Sequence, residues 1–291
     1  MICTVVVTYN RLECLKMLLI GLENQTRKPD NIIVVNNGST DGTTEWLTGK
    51  QNLSVINQEN SGGSGGFHTG VKAAFEMQAE WIWIMDDDVI PRPDCLQVLI
   101  AYSGISKCLN PIHLNAQGIV SDEERWFNPE SCQIINHKNR SYLNGKKLWF
   151  RNIGSFEGML ISRDIVEKIG FPDKRFFIAH DDLIYGYLAH QFTNVAVIAD
   201  AVIDRQQVNK SSASIYSYFY YTNRNLWILE EYLNRENNEL RRYRNRRVVW
   251  HFIYEAYKVL RLNEFNNKPK ALKTLLKAFK DYRSKKSGKT F

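Results

Sequence analysis

The sequence WIWIMDDDV (residues 81–89) contains an apolar run that ends in three consecutive aspartates. The run is short and rich in tryptophan and isoleucine, which is typical of a strand buried on both faces of a sheet. Adjacent carboxylates repel one another, and their burial is costly unless a cation compensates the charge. A solvated acidic turn is one interpretation of the triplet, and a metal site at a strand end is the other.

Three earlier segments share this pattern of an apolar strand followed by polar residues. They are ICTVVVTYN (residues 2–10), NIIVVNNGSTDGT (31–43) and LSVINQENSGGSGG (53–66). Segments with apolar residues at helical spacing separate them, as in RLECLKMLLIGL (11–22). This alternation predicts an α/β fold with a doubly wound, mostly parallel sheet. In such sheets a ligand binds beyond the carboxyl ends of the strands.

Polar residues collect at those predicted strand ends. The clusters are residues 8–11, 36–39, 62–66 and 86–88. Alternate side chains of a strand share a face, so Asp86 and Asp88 are expected to converge while Asp87 points away. Two converging carboxylates suit a hard divalent cation such as Mg²⁺ or Mn²⁺, with phosphate oxygens as further ligands.

The glycine-rich stretch NSGGSGGFHTG (residues 60–70) precedes a predicted helix, VKAAFEMQA (71–79). Glycine permits positive φ and close backbone approach, and the N-terminus of a helix favours phosphate. The stretch lacks the Gly-Lys-Ser/Thr of a Walker loop and is not a convincing dinucleotide fingerprint. A phosphate-binding turn and a flexible surface loop are both open interpretations.

The second half of the chain carries another acidic pair. FEGMLISRDIVEKIGFP (156–172) and NVAVIADAVIDRQ (194–206) each contain a predicted strand, and RFFIAHDDLIYGYLAH (175–190) lies between them. In that middle segment Asp181 and Asp182 precede a predicted helix, and aspartate is a preferred N-terminal cap. One aspartate of the pair can cap the helix while the other takes part in catalysis.

The charge of the chain is unevenly distributed. The formal net charge is +7, yet residues 241–291 hold 16 Lys or Arg against three acidic residues, so the first 240 residues are acidic overall. RRVVWHFIYEAYKVLRL (246–262) and KALKTLLKAFKDY (270–282) place apolar residues at helical spacing among these basic residues. The pattern fits helices on an anionic membrane surface, or a helical bundle with a solvated basic face.

The cysteines and the N-terminal sequence indicate the cellular compartment of the protein. The five cysteines (Cys3, Cys14, Cys95, Cys108 and Cys132) form an odd set without a C-x-x-C spacing, which argues against a zinc cluster or a disulfide framework. The start MICTVVVTYN lacks the features of a signal peptide, and no apolar run approaches the ~18 residues of a membrane-spanning helix. We expect a cytoplasmic protein, either soluble or peripheral at the inner face of the plasma membrane.

The order of the motifs is more specific than any single motif. TYNR (8–11), NNGSTDGT (36–43), NSGGSGGF (60–67) and DDD (86–88) follow one another as in inverting glycosyltransferases of family 2, which have the GT-A fold. The chain resembles this family over about residues 2–230, most clearly over 2–95 and 152–190. The glycine-rich element, the triplet and the later aspartate pair are most similar to its galactofuranosyltransferase and rhamnosyltransferase branch.

The resemblance implies roles for individual residues. The residues that would line the nucleotide-sugar pocket are Thr8, Asn10, Arg11, Asn37, Asn60, Gly65, Asp86 and Asp87. Asp86 and Asp88 would also hold Mn²⁺ or Mg²⁺ and, through the cation, the donor diphosphate. Asp182 would remove the proton of the acceptor hydroxyl, with Asp181 as its partner or as an acceptor contact.

The chain departs from the family pattern in three places. Asn36 stands where an aspartate often begins the turn, which bears on the recognition of uracil. Ile184 and Leu188 follow the acidic pair where relatives often have Glu and Arg, so the acceptor contacts need not be the same. The region where relatives carry a metal-binding histidine reads VIADAVIDRQQ (197–207), and Asp204 is the predicted substitute ligand. A plain strand end explains Asp204 equally well.

The expected organisation is a catalytic domain followed by a helical region. The GT-A domain is predicted at residues 1–215, with a nucleotide-sugar half at 1–95 and an acceptor half at 96–215. An aromatic and basic helical region follows at 216–291.

The predicted function is metal-dependent, inverting transfer of galactofuranose from UDP-galactofuranose onto a bacterial surface glycan, expected to be lipid-linked. A rhamnosyltransferase that uses dTDP-rhamnose is the nearest alternative, and a homo-oligomer is an open possibility. A nucleotidyltransferase should have a glycine- and basic-rich loop after its first strand, which TYNRLECL (8–15) does not provide. A basic-tailed module that binds membrane or nucleic acid would leave both aspartate clusters unexplained, and no nucleic-acid partner is expected.

Overall fold

The computed structural model describes residues 1–120, 124–130, 133–137, 140–207, 212–234, 241–262 and 265–291. Cys132, one of the five cysteines considered above, lies outside these residues. The chain divides into two compact units. The first comprises Met1–Phe127, Ile134–Lys174 and Asp181–Val208, and the second comprises Asn128–Gln133, Arg175–His180 and Asn209–Phe291.

The first unit begins with alternating strands and helices. In chain order they are β1 (Ile2–Thr8), α1 (Leu12–Glu23), β2 (Asn31–Asn36), α2 (Thr43–Thr48), β3 (Ser54–Asn57), α3 (Gly62–Glu76) and β4 (Trp81–Asp86). β1 pairs in parallel with β2 and β4, and β2 pairs in parallel with β3. The predicted parallel, doubly wound arrangement is confirmed for these strands.

The elements that follow add more helices and strands, and most of these strands extend the sheet. They are β5 (Val89–Pro91), α4 (Cys95–Ala101), β6 (Cys108–Leu114), β7 (Arg125–Asn128), β8 (Gln133–Asn136), α5 (Arg140–Leu143), β9 (Leu148–Arg151), β10 (Met159–Ser162), α6 (Arg163–Ile169), a 3₁₀ turn at Lys174–Phe176, α7 (Asp181–His190) and β11 (Val195–Arg205). The nine-stranded sheet has the order β3-β2-β1-β4-β10-β6-β11-β5, with β9 paired to β11. β10 runs antiparallel to β4 and β6 and joins the two halves, and β7 and β8 form a separate two-stranded sheet.

Helices cover both faces of the sheet because successive strand residues point to opposite faces. In β1, Val6 contacts one core, with α1 and α4, whereas Val5 and Val7 contact the other, with α3, α6 and α7. Trp83 is fully buried, and its indole N–H donates to the backbone oxygen of Gly158 at 3.0 Å. Trp81 and Trp83 therefore pack in the core beside the sheet, as expected of a buried strand.

The glycine-rich stretch forms the first turns of α3 and is not a loop ahead of it. The helix begins at Gly62. A Cβ at Gly66 would lie 2.4 Å from Cγ1 of Val7, and a Cβ at Gly70 would lie 2.3 Å from Cγ1 of Val5. The absence of side chains therefore lets the helix approach β1 closely. The expectation of a helix that starts after this stretch is wrong, because glycine serves here for close packing and not for flexibility.

The second unit is helical in its C-terminal part. Its helices are α8 (Ser212–Arg224), α9 (Leu226–Asn234), α10 (Arg241–Arg261) and α11 (Lys268–Arg283). α11 packs against α8 and α10, where the rings of Phe252 and Phe279 meet with centroids 4.8 Å apart. α8 spans the predicted domain boundary between residues 215 and 216. Among the helices of the described ranges, none has the length and apolar composition needed to cross a membrane.

Candidate active site

The carboxyl ends of the first four strands lie side by side. In the strand register, Thr8 pairs with Asn36, Asn36 pairs with Asn57, and Val7 pairs with Asp86. The polar clusters identified in the sequence therefore meet at one edge of the sheet, where α/β folds bind their ligands.

The aspartate triplet forms the turn after β4. The strand ends at Asp86 and residues 87–88 form a turn, so the alternation of an extended strand does not extend through the triplet. Arg11 Nη1 donates to Oδ1 of Asp87 at 3.0 Å and to Oδ2 of Asp88 at 2.8 Å. Thr8 Oγ1 donates to Oδ2 of Asp87 at 2.7 Å. Asp87 is thus buried and bound through both carboxylate oxygens.

Asp86 differs from its two neighbours in having no such partner. Among the residues that the structure describes, none donates a hydrogen bond to its carboxylate. Burial raises the pKa of Asp86 well above its usual range, and the charges of Asp88, Glu157 and Asp87 raise it further against the opposing effect of Arg11. This excess of carboxylates is a repulsion that a bound divalent cation would relieve.

Burial also dominates at Asp87, where it raises the pKa to about 6. The charge of Arg11 and the hydrogen bond from Thr8 act in the opposite direction and favour the ionised form. These two contacts hold Asp87 in place. They thereby fix the directions of the neighbouring carboxylates of Asp86 and Asp88.

Asp86 and Asp88 provide the oxygen ligands that Mg²⁺ and Mn²⁺ prefer. In the described part of the chain, no three His, Cys, Asp or Glu side chains are grouped so that they could hold a metal ion. Asp204, the predicted substitute ligand, accepts hydrogen bonds from Nε and Nη2 of Arg92 at 3.0 and 3.2 Å, so its carboxylate is paired with a cation of the protein. The residues present fit a cation held by two carboxylates and completed by ligand oxygens.

The second acidic pair opens α7 and contacts the glycine-rich helix. Ser64 Oγ of α3 donates to Oδ2 of Asp181 at 2.8 Å. Asp181 is buried, and burial together with the charge of Asp182 raises its pKa to about 7. Two motifs that lie more than one hundred residues apart in the chain therefore meet at one hydrogen bond.

Asp182 is the more accessible member of the pair. Burial raises the pKa of Asp182, and the charge of Glu157 adds to this effect. The charges of Arg125 and Arg151 oppose it and favour the carboxylate form. Asp182 therefore has two features of a general base. Burial raises its affinity for a proton, and the charges of Arg125 and Arg151 stabilise its ionised form.

Glu157 lies within electrostatic range of both acidic clusters and was not predicted from the sequence. Its charge raises the pKa of Asp86 and of Asp182. Its carboxylate accepts a hydrogen bond from Nε of Arg205 and lies 3.9 Å from Nε2 of His113, with 24% of the side chain exposed. An acidic residue followed by a glycine ahead of an apolar strand was its only signal in the sequence, and that pattern is too common to identify a site.

Two of the other predicted site residues stabilise the loop before α3. Asn37 Oδ1 accepts a hydrogen bond from Nε2 of Gln58 at 2.8 Å, and Asn37 Nδ2 donates to the backbone oxygen of Gly62 at 2.9 Å. Asn60 Oδ1 accepts from the backbone N–H of Gly62, also at 2.9 Å. Their contacts in the structure are with this loop, and a direct contact with a nucleotide stays a prediction.

The remaining predicted residues lie in the neighbouring turns. Asn10 is exposed, has a φ of 53°, and accepts a hydrogen bond from the backbone N–H of Thr40 at 2.7 Å. Gly65 packs closely, since a Cβ there would lie 2.2 Å from Oγ of Ser61. Asn36, which replaces the aspartate common in relatives, donates from Nδ2 to two side-chain oxygens at 2.8 Å and so supports its own turn.

A mostly parallel sheet with carboxylates gathered beyond its strand ends is the architecture of GT-A glycosyltransferases. The family model described as glycosyl transferase family 2 matches residues 3–170, and the chain belongs to this family.

The chain is similar to galactofuranosyltransferases and to a rhamnosyltransferase of bacteria. It is 30% identical to galactofuranosyltransferase GlfT1 of Mycolicibacterium smegmatis over 204 residues, 62% of this chain and 63% of that protein. The identity to GlfT1 of Mycobacterium tuberculosis (strain H37Rv) is 31% over 191 residues, 62% of this chain and 61% of that protein. The O-antigen chain rhamnosyltransferase RfbN of Salmonella typhimurium is 24% identical over 208 residues, 69% and 65% of the two chains. The match spans less than two thirds of the length of these curated relatives.

Solved structures show the same fold. S. aureus TarS 1–349 in complex with UDP-GlcNAc matches with a TM-score of 0.58 and 16% identity, over 97% of this chain and 81% of that chain. GalNAc-T7 with UDP, GalNAc and Mn²⁺ matches with a TM-score of 0.56 and 10% identity, over 96% of this chain and 55% of that chain. The predicted GT-A fold is confirmed.

Proposed function

We propose that the chain transfers galactofuranose from UDP-galactofuranose onto a lipid-linked bacterial surface glycan, with inversion at the anomeric carbon. The identity of 30–31% to two galactofuranosyltransferases supports this donor over the rhamnosyl donor suggested by the relative at 24%. The observation that carries the proposal is the hydrogen bond of 2.8 Å between Ser64, in the first turn of α3, and Asp181. It brings the second acidic pair to the edge of the sheet that carries the aspartate triplet, and the charge of Glu157 raises the pKa of a carboxylate in each cluster.

In this proposal Asp182 is the general base. It accepts the proton of the acceptor hydroxyl as that oxygen attacks the anomeric carbon and the nucleoside diphosphate leaves from the opposite side. A pKa raised by burial makes Asp182 a stronger base, and Arg125 favours its ionised form. Asp181 is less suited, because it is buried and its Oδ2 already accepts the hydrogen bond of Ser64.

Asp86 and Asp88 would hold Mn²⁺ or Mg²⁺ together with the donor diphosphate. A cation bound there offsets the negative charge that develops on the leaving diphosphate. Asp86 suits this role because the described residues leave its carboxylate without a hydrogen-bond donor. The partly exposed guanidinium of Arg11 lies against Asp87 and Asp88, where it can serve the same diphosphate. Thr8, the partner of Asp87, would support this arrangement from the end of β1.

The other predicted residues would shape the walls of the nucleotide pocket. Asn10, Asn37 and Asn60 belong to loops at the carboxyl edge of the sheet, and their hydrogen bonds fix those loops. Gly65 lies beside them in the first turn of α3. A pre-formed loop loses less conformational entropy when a ligand binds, which favours affinity.

A panel of nucleotide sugars tests the donor and the metal. A ligand that binds only the folded state raises the melting temperature. We expect UDP-galactofuranose to raise it in the presence of Mn²⁺, with a smaller shift after chelation, and the Asp88→Ala variant to lack the metal-dependent part. Transfer to a lipid-linked glycan acceptor, followed by analysis of the anomeric configuration, then tests the reaction. A shift with dTDP-rhamnose alone would assign the rhamnosyl donor, and no response to any nucleotide sugar would refute the proposal.

We further propose that the second unit binds an anionic membrane surface through α10. The outward half of this helix is apolar and aromatic from residue 249 to residue 260. Its exposed side chains are Val249, Trp250, Ile253, Tyr254, Tyr257 and Leu260. Val248, Phe252 and Val259 are buried on the opposite side of the helix. Trp and Tyr are enriched where one end of a side chain is apolar and the other is wet, as at a membrane interface.

Charge favours lipid over a second copy of the chain as the occupant of this face. Lys273, Lys280 and Arg283 are exposed on the neighbouring α11, and residues 241–291 are strongly basic overall. Pairing of two such units would bring like charges together, which is unfavourable. An anionic lipid surface instead attracts them, by about 1 kcal/mol for each basic residue near the surface. Membrane contact would also present a lipid-linked acceptor to the enzyme.

A further inference from the structure

The loop that leads into the acidic pair has an unusual backbone. Phe177, Ala179 and His180 have φ values of 68°, 70° and 69°, in the left-handed region that residues other than glycine rarely adopt. Each such residue costs on the order of 1–3 kcal/mol and persists only where its surroundings hold it. α7 begins at the next residue, Asp181. The strain is therefore concentrated directly before the residues assigned to catalysis.

Asn225 holds this loop by hydrogen bonds to the backbone carbonyl groups of the loop. Its Nδ2 donates to the backbone oxygens of Phe176, Ile178 and Ala179 at 3.0, 2.8 and 3.0 Å. Asn225 is fully buried and occupies the single residue between α8 and α9. A buried carbonyl without a partner is costly, so these hydrogen bonds stabilise one conformation of the loop over its alternatives.

Arg224 and Thr222 add contacts to the same loop. Arg224 Nη2 donates to the backbone oxygen of Phe176 at 2.9 Å. The ring of His180 donates from Nε2 to the backbone oxygen of Thr222 at 3.0 Å. Burial lowers the pKa of His180 to about 4, so the ring is neutral at physiological pH and this N–H fixes its tautomer. All these contacts lie within the second unit.

We propose that Arg224 and Asn225 are positioning residues for the acidic pair. They hold residues 176–180 in the left-handed conformation from which α7 starts at Asp181. Without them the loop would relax toward ordinary φ values, and the first turn of α7 would lose its fixed direction. The inference rests on the proposed function, in which Asp182 is the base. A misplacement of about 1 Å at such a residue is enough to cost ~10²-fold in rate.

The test compares two buried asparagines of the same region. Asn225→Ala removes the donors to the loop, whereas Asn223→Ala is the matched control. Asn223 is 1% exposed, donates to the backbone oxygen of Phe219 and accepts from His251, so its contacts are with the helices and not with the loop. We expect Asn225→Ala to lower kcat by about 10- to 100-fold with little change in the donor KM. Asn223→Ala should lower the melting temperature but leave kcat near that of the wild type.

Equal losses of kcat in the two variants, or a normal kcat in Asn225→Ala, would overturn the proposal. If Asn225→Ala does not fold, adding Ala179→Gly removes one strained residue, because glycine adopts positive φ without penalty. That folded double variant then replaces the single one in the comparison, with the same expected loss of kcat.

Hydrogen exchange separates this inference from the proposed function, because it needs no substrate. We expect the amides of residues 177–182 to exchange faster in Asn225→Ala and at the wild-type rate in Asn223→Ala. Unchanged exchange in Asn225→Ala would overturn the positioning role whatever the activity of the enzyme. Faster exchange in a protein whose wild type turns over no nucleotide sugar would support the positioning role and refute the proposed function.

Discussion

Gly186 of α7 approaches Gly154 of the loop before β10 so closely that Gly186 cannot carry a side chain. A Cβ on Gly186 would lie 1.8 Å from the backbone nitrogen of Gly154, and a Cβ on Gly154 would lie 2.0 Å from Cε of Met159. Gly186 follows Asp182 by one turn of α7, and Gly154 lies three residues before Glu157. This backbone contact therefore sets the separation between the proposed base and the glutamate that acts on both acidic clusters.

The first prediction is that Gly186→Ala abolishes turnover and lowers the melting temperature. The new methyl group meets backbone atoms, which cannot rotate away, so the loss of stability should exceed the ~1–3 kcal/mol of ordinary overpacking. Gly104→Ala is the control, because a Cβ there meets nothing within 4 Å. Activity assays and thermal unfolding of the two variants make the comparison. A fully active Gly186→Ala would show that the site does not depend on this contact.

The second prediction concerns Glu157. Its negative charge raises the pKa of Asp182, so Glu157→Gln should lower that pKa and move the acidic limb of the kcat–pH profile toward lower pH. The metal-dependent part of donor binding should also change, because Asp86 responds to the same charge. The control is Asp204→Asn on β11, which removes a carboxylate that is paired with Arg92.

We expect the pH profile and the metal dependence of Asp204→Asn to match those of the wild type. If the kcat–pH profile of Glu157→Gln does not shift, Glu157 does not act on the active site. Weaker metal binding in Asp204→Asn would instead restore Asp204 as a ligand, as the sequence first indicated.

The sequence predicted the sheet and its functional edge because both follow from local patterns. Apolar strands that end in polar clusters are visible in any window of ten residues, and a parallel sheet necessarily brings those clusters to one edge. Asp86 and Asp88 were predicted as metal ligands from their place at this edge, and that role stays a prediction. The strand periodicity failed inside the triplet, because the chain turns after Asp86 and places Asp87 against Thr8 and Arg11.

Glu157 and the true start of α3 could not be predicted, because both depend on contacts between distant segments. The position of Glu157 follows from the approach of Gly154 to Gly186, and a sequence does not reveal which glycines face each other. The glycines of α3 look like a flexible loop until Val5 and Val7 of β1 are placed beside them. Tertiary packing overrides the low helix propensity of glycine at this point.

The third prediction is a pH dependence of stability. The pKa of Asp181 is about 7 in the folded protein, against a usual value of 3.8. The folded protein therefore binds more protons than the unfolded chain between these two values, so stability falls as the pH rises through this window. Asp181→Asn cannot ionise and should lose less stability over the same window. Melting temperatures at pH 5 and pH 8 test this, and an equal fall in both proteins would contradict it.

The fourth prediction concerns the exposed face of α10. A double variant, Trp250→Glu and Tyr257→Glu, should lose binding to anionic liposomes, because it puts negative charge on the face proposed to enter the interface. Binding of the wild type should weaken as salt is raised, since screening acts over ~8 Å at physiological ionic strength. Leu143→Glu is the control, because this leucine is 75% exposed but lies in the first unit.

Two results would count against the membrane proposal. One is equal liposome binding by the double variant and the wild type. The other is a change from oligomer to monomer in the double variant without any effect on liposomes, which would assign the face to self-association. Sedimentation with liposomes and light scattering on the same samples distinguish these outcomes.

The fifth prediction is that Asp182→Asn loses turnover while it keeps donor binding. A general base acts on the acceptor alone, so the nucleotide-induced shift in melting temperature should stay near that of the wild type. The expected loss of kcat is ~10²–10⁴-fold, the usual contribution of a positioned base. Asn preserves the size of the side chain and can still accept the hydrogen bond from the backbone N–H of Leu183. Asp181→Asn is the matched control, because the hydroxyl of Ser64 can also donate to an amide oxygen. If Asp181→Asn is inactive and Asp182→Asn turns over normally, the two carboxylates exchange roles, and if both are active the base lies outside the pair.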